Sequence, residues 1–459
     1  MTFLSTSGCL AHGTQVLLYD GVVKAVEHLA INDVLMGMGS ARRRIMTMRS
    51  ERGALYRVTP SHGPSWLCGG SHVLALIGSS YQRGLTVNVG CAELLKWTSR
   101  QRAYWRLWRS AVDFPTASQR MDPYFIGLWL GDGTFDRPEI TSMDQEVITY
   151  CKEVASAHGL RCVVTDTPSR AKVIRLAGPH GGDLSTRKNT VHDAVRDCAK
   201  DGHKHIPFEY LIADRSQRFA LLAGLLDTDG CLSRHHFSLS TSIHTLSESI
   251  VFLARSLGLA AYAKHCRSSI KATGFSGMCW RIHISGDLTA LPTKIARKRW
   301  SPHPKARRTD SPGFSLESAG DGALSYFTLD GEGAFFLDDF TVSGLLPRGM
   351  EESSNRSRRC VAMPKLIWDE AKREASKRGM PLTALVETAL SVFFASGFVP
   401  ADIDYKRTAA DLTARCKAAR TVSLDHRVYE TVKREAAHHN MPLSAFIQAA
   451  LSAIGVGDP

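Results

Sequence analysis

The sequence predicts a multidomain chain: an all-β domain interrupted by an α/β unit with two-fold pseudosymmetry, then a C-terminal pair of strand–helix–helix modules. Three observations carry this. Two apolar stretches, FIGLWLGDGTF at 125–135 and LLAGLLDTDGCL at 221–232, read as related helices that each end in an acid followed by glycine. Short β-branched runs lie on both sides of that region. Residues 371–393 recur at 432–454 with 11 of 23 positions identical, which duplication explains most simply. At 459 residues the chain has room for about three domains with cores of their own.

From Cys9 the run CLAHGTQVLLYDGVVKAVEHLAINDVLMG alternates short apolar segments with Gly-Thr, Asp-Gly and Asn-Asp turns, the pattern of a strand meander. It places the first part of the β domain in 1–110, and YFTLDGEGAFFLDDFTVSGLLP at 326–347 places the second part in 310–348.

Between them, 118–300 forms the α/β unit. Small residues stand one turn apart in each helix, Gly127 and Gly131 in the first, Gly224 and Thr228 in the second. Such spacing lets two helices approach closely and would bring Asp132 and Asp229 together. Two carboxylates at one point suit a divalent cation. Mg²⁺ takes one or two carboxylates and fills its remaining positions with phosphate oxygens and water.

The second stretch, LAGLLDTDG, resembles the nonapeptide of the LAGLIDADG homing endonucleases and departs from it only at Leu226 and Thr228; FIGLWLGDG is a looser copy. The resemblance implies that each helix heads a half-domain whose sheet sits on DNA, so that one chain forms an intramolecular pseudo-dimer and acts as a monomer. It implies that Asp132 and Asp229 bind catalytic Mg²⁺, and that the partner is double-stranded DNA with a long recognition site. A K-x-I-P segment, KHIP at 204–207, precedes the second motif as in the intein-borne members, which makes Lys204 a catalytic candidate. In the other half LPTKIARKRW at 291–300 offers Lys298, with Lys294 as the fallback. Arg137, Arg175, Lys264, Arg267 and Arg281 are candidates for DNA contacts.

The β flanks resemble an intein of the all-β Hint fold, in the Cys-Leu-Ala-x-Gly-Thr opening at Cys9, the block GGSHVLAL at 69–76 and the Asp-Phe-Thr-Val run at 339–342. The resemblance makes Cys9 and His72 a residual splicing site, although Gly69 stands where the block carries threonine. Splicing also needs a penultimate His, a terminal Asn that cyclises and a following nucleophile; Gly344, Leu345 and Leu346 stand there. No side chain at 345 can attack its own carbonyl, so the scaffold is read as splicing-deficient, with acyl transfer at Gly8–Cys9 left open.

The segment 349–359 is polar and charged without apolar period, a linker. In 360–456 each repeat has a short alternating segment, CVAMP or TVSLD, then two amphipathic helices separated by Gly379 or Asn440. This resembles the tandem ribbon–helix–helix DNA-binding module, with Arg359 and Arg420 beside the ribbon; the same fold also serves oligomerisation.

The net charge of +13 and pI near 9.3 suit a polyanionic partner. The eleven cysteines show no C-x-x-C pair, which predicts reduced thiols, and no apolar run reaches the length of a membrane span, which predicts a soluble intracellular protein. The alternative function is a DNA-binding regulator, or an N-terminally self-cleaving remnant, with an inactive nuclease.

Overall fold

The computed structural model describes residues 8–79, 85–115, 119–178, 189–270, 275–301, 311–331, 333–345, 359–378, 380, 382–395, 419–424, 426–438, 441 and 443–454. Most of the proposed linker, together with Leu346, Gly379 and Asn440, lies outside these residues. The chain divides into one unit of Met1–Leu76 with Asn88–Pro347 and a second of Ile77–Val87 with Arg348–Pro459.

In the first unit, strands from before and after the α/β segment share one antiparallel sheet. Ala41–Pro60 pairs along its length with Phe314–Leu329, and Gly8–Ala11 pairs with the same strand, Cys9 opposite Tyr326. Burial of Leu10, Val58, Leu74, Phe327, Phe335 and Phe336 makes this sheet worth forming.

The α/β segment runs twice through nearly one order of elements, with one additional short strand in the second pass. Helix Pro123–Asp132 is followed by strand Glu139–Ser142, helix Gln145–Ala157 and strands Arg161–Asp166 and Lys172–Ala177. Helix Arg215–Thr228 is followed by strands Cys231–Ser233 and His236–Thr241, helix His244–Ser256 and strands Ala260–Ile270 and Phe275–Ser285. The halves share one apolar core from Met121 to Ile295, with both motif helices at its centre. The second motif helix is tied to the segment that enters the α/β unit by Arg218, which is 0% exposed. Its guanidinium donates to the carbonyls of Ala213 and Val112 and to Ser256 Oγ. Those bonds, the Asp113 carboxylate at 3.7 Å and the Phe114 ring satisfy a charge buried this deeply.

In the second unit, Arg359–Pro364 and Ala419–Leu424 pair antiparallel, Val361 opposite Val422. Each is followed by two helices, Lys365–Lys377 with Leu382–Ala395 and His426–His438 with Leu443–Ala453, and the helices of both repeats share a core that includes Leu385, Leu390, Phe393, Phe446 and Ile447.

Candidate active site

The two motif helices meet backbone to backbone. A Cβ on Gly127 would lie 2.2 Å from the Leu221 carbonyl oxygen, and one on Gly224 would lie 2.2 Å from that of Tyr124. One turn on, a Cβ on Gly131 would meet Thr228 Oγ1 at 2.0 Å and Asp229 Oδ2 at 3.4 Å. The contact therefore continues to the C-termini, where Asp132 is the last residue of one helix and Asp229 caps the other. Gly133 follows with φ −76° and ψ 147°, so left-handed backbone is not what it supplies. A Cβ there would lie 2.4 Å from the Trp129 indole.

A helix C-terminus carries the negative end of the dipole, the wrong place for an acid. Each end is offset by one lysine. Lys204 Nζ donates to the carbonyls of Trp129 (2.9 Å), Leu130 (3.2 Å) and Gly131 (3.0 Å). Lys298 Nζ donates to those of Leu226 (3.0 Å), Asp227 (2.7 Å) and Thr228 (2.9 Å). All three donors of each ammonium are thereby spent on carbonyls of the last helical turn, of which those of Trp129 and Leu226 also accept the N–H of Gly133 and Gly230.

The electrostatics follow from this crowding. Asp132 and Asp229 both reach solvent, yet their carboxyls sit in a partly enclosed recess. Burial and the neighbouring Asp132 push the Asp229 pKa up to about 6, against the pull of Lys204 and Lys298. Burial also raises Asp132, with Asp144 adding and both lysines opposing. Burial lowers Lys204 to about 8 against the two acids, and it lowers Lys298 as well. Two carboxylates that resist sharing one recess as anions are suited to a divalent cation, which would relieve their repulsion. Among the described residues no group of three or more His, Cys, Asp or Glu could hold a metal. The remaining ligands would have to be water and substrate oxygens.

The DNA-contact candidates fall in different places. Lys264 and Arg281 are cross-strand partners, and they share the sheet face opposite the buried Ile282 and Ile284. Arg267 pairs with Met278, an odd number of positions away, and so points to the other face, where its Nε donates to Ser276 Oγ. Arg175 is engaged with Glu139 at 2.5 Å. Arg137 is exposed just beyond the first motif helix, and its carbonyl accepts the Trp129 indole N–H. Arg359 and Arg420 lie in the paired strands of the second unit.

In the β frame, Cys9 and His72 do meet. The Cys9 backbone N–H donates to His72 Nδ1 at 3.3 Å, and His72 Nε2 lies 2.7 Å from Ser343 Oγ. Burial lowers the His72 pKa to about 3, so the ring is neutral. A Cβ on Gly69 would lie 2.2 Å from Cys9 Sγ. With glycine at 69, the cysteine thiol occupies the space a side chain there would need.

Asp227 and Arg218 carry weight that the sequence reading did not assign. Asp227 is 2% exposed, and its Oδ2 accepts from Tyr124 Oη and from the Lys294 backbone N–H, each at 2.6 Å. Its only sequence signal is its place inside the nonapeptide.

Residues 205–294 match the family model described as homing endonuclease. The chain is 33% identical over 173 residues to the homothallic switching endonuclease of Saccharomyces cerevisiae, covering 32% of this chain and 29% of that protein. It is 32% identical over 123 residues to the replicative DNA helicase DnaB of Mycobacterium intracellulare, covering 27% of this chain and 16% of that one. The chain thus spans under a third of either relative. Among solved structures it is similar to the homing endonuclease I-DmoI in a complex with DNA and Mn, at 11% identity over 36% of this chain and 89% of that one, TM-score 0.26. A mesophilic variant of that endonuclease gives 12%, 41%, 95% and 0.28 in the same order. The segment that carries the second motif helix, Asp229 and its long strand pair is therefore similar to homing endonucleases.

Proposed function

We propose that this chain is a site-specific double-strand DNA endonuclease of homing type, hydrolysing phosphodiesters with Mg²⁺ held by Asp132 and Asp229. One observation carries the reading: two acids at the ends of interlocked helices, each helix capped by its own lysine. A bound divalent ion would polarise the scissile phosphate and lower the pKa of an attacking water. Lys204 and Lys298 hold the acids in place and supply positive field to the recess. Because their donors are spent on carbonyls, they act on charge at a distance and not by hydrogen bonds to phosphate. Lys264 and Arg281 on the open sheet face are the stronger candidates for DNA backbone contacts, with Arg137 beside the recess.

The β frame is read as a splicing-deficient Hint scaffold, and the second unit as a tandem ribbon–helix–helix module that anchors DNA, a reading supported by its paired strands and shared helical core. A DNA substrate places the protein's action inside the cell. Among the described residues no helix is long and apolar enough to cross a membrane. Mass spectrometry of the expressed chain is expected to show no product that joins Gly8 to the residues after Leu345. Finding it would overturn the splicing-deficient reading.

The direct test is a plasmid carrying the DNA that flanks this chain's own coding sequence. Purified protein with Mg²⁺ linearises it at one position, and chelation stops the reaction; an intact plasmid or random fragments would refute the assignment. The rate should trace a bell against pH. Asp229 must be ionised to hold a cation, so cutting rises as pH passes its pKa of about 6. Lys204 must stay protonated, so cutting falls as pH passes about 8. Raising Mg²⁺ moves the acid limb lower, because the ion competes with the proton. A rate that stays level from well below pH 6 to well above pH 8 would remove both residues from the mechanism.

A further inference from the structure

The two lysines reach equivalent places by different means. Lys204 comes from a backbone fixed in a short hairpin, opposite Ala199, and its ammonium also lies 5.0 Å from the Trp129 ring centre. Lys298 ends a single 3₁₀ turn, Ala296–Lys298, with no strand to hold it. The turn itself is held by Arg297 on the Asp144 carboxylate, by the Ala296 N–H on Glu146 and by the buried Ile295, and its start is held by Asp227. That carboxylate accepts the Lys294 N–H, while the Lys294 ammonium lies over the rings of Tyr124 and Tyr150 at 5.1 and 4.7 Å. Tyr124 closes the arrangement by donating to the same Asp227 oxygen.

The first motif has nothing comparable. Aligning GLWLGDG at 127–133 with GLLDTDG at 224–230 puts Leu130 opposite Asp227. A leucine suits this core better than an acid whose Oδ1 has no hydrogen-bond partner. We propose that Asp227 is a positioning residue: it pins the Lys294 backbone so that the Lys298 ammonium reaches the end of the second motif helix. One of the two acid sites then depends on a buried carboxylate and the other does not. The inference rests on the nuclease reading for its consequence, unequal cleavage of the two strands, and on geometry alone for its mechanism.

The experiment uses the full chain in two arms. In the first, supercoiled plasmid is cut and each strand is followed separately, with Lys298→Met marking the strand that needs Lys298. Asp227→Leu, which copies Leu130, should slow that same strand about tenfold or more and accumulate nicked circles, while the other strand changes by less than about twofold. Asp227→Asn keeps an oxygen for the Lys294 N–H and should restore most of the rate. In the second arm the protein is labelled with an amine-acetylating reagent and read by mass spectrometry. Lys298 of Asp227→Leu should acetylate faster than in the parent protein, with Lys204 unchanged. Where Asp227→Leu does not fold, Asp227→Ser, too short to reach Lys294, takes its place. Equal slowing of both strands, or Lys298 acetylation that does not rise, overturns the proposal. A parent protein that cuts nothing refutes the nuclease reading, and the acetylation arm still decides whether Asp227 holds Lys298.

Discussion

Asp132→Asn and Asp229→Asn each reduce plasmid cutting by about a thousandfold or more, some 4 kcal/mol of barrier, while band-shift binding of the same DNA survives. Asparagine keeps the volume of each side chain and its place at the helix end, but it cannot supply the anion a divalent cation requires. Binding is retained because removing a negative charge beside phosphates does not repel them. Stability should move the other way. The Asp229 pKa is raised in the fold, so its protonated form is the one the fold prefers, and stability is lost as pH rises through about 6. At neutral pH, Asp229→Asn removes that penalty. Because the residue reaches solvent, the gain is discounted to about 1 kcal/mol, or roughly 2–4 °C in Tm. Inactive protein with a higher Tm and intact binding is the expected combination. Cutting unchanged in both variants would sink the metal assignment, and a lowered Tm would show that the acids serve folding.

The site was legible to the extent that it was local. An acid-glycine pair at the end of an apolar helix can be read from a short stretch, and the small residues at 127, 131, 224 and 228 announce that two helices pack closely. What those lysines do was not legible, because a cap formed by Lys204 on a helix 73–75 residues away depends on a tertiary turn with no periodicity. Asp227 was hidden for the opposite reason: inside the motif it reads as part of the pattern, and only its buried contacts with Tyr124 and Lys294 show a separate task. Arg267 illustrates a third limit. Composition makes it equal to Lys264 and Arg281, but a strand alternates faces, and the register sets Arg267 opposite Met278 on the other side. Gly69 looked like a defect in a borrowed block, whereas the space it leaves is filled by the Cys9 thiol.

Gly224→Ala, like Gly127→Ala, should be strongly damaging for so small a change. In an exposed helix the same change would be favourable by about 1 kcal/mol, since glycine is a poor helix former. Here the added methyl would sit 2.2 Å from the Tyr124 carbonyl oxygen and 2.8 Å from the Leu128 nitrogen, both backbone atoms of the facing helix. No rotamer change relieves such a contact, so the helices must separate, at the upper end of overpacking costs, about 3 kcal/mol and on the order of 10 °C in Tm. Separation also moves Asp132 from Asp229, so residual folded protein should cut poorly, and adding Mg²⁺ should restore little. Gly131→Ala provides the contrast. Its methyl would meet two side-chain atoms of Thr228, Oγ1 at 2.0 Å and Cβ at 2.6 Å. Thr228→Gly, which removes both atoms, should therefore rescue much of Gly131→Ala in stability and cutting, less about 1 kcal/mol for a second helical glycine, and it should do nothing for Gly224→Ala. Thermal melts of the four variants, read with their cutting rates, separate the two cases. If Gly224→Ala melts with the parent protein, close approach of these helices is not what brings the acids together.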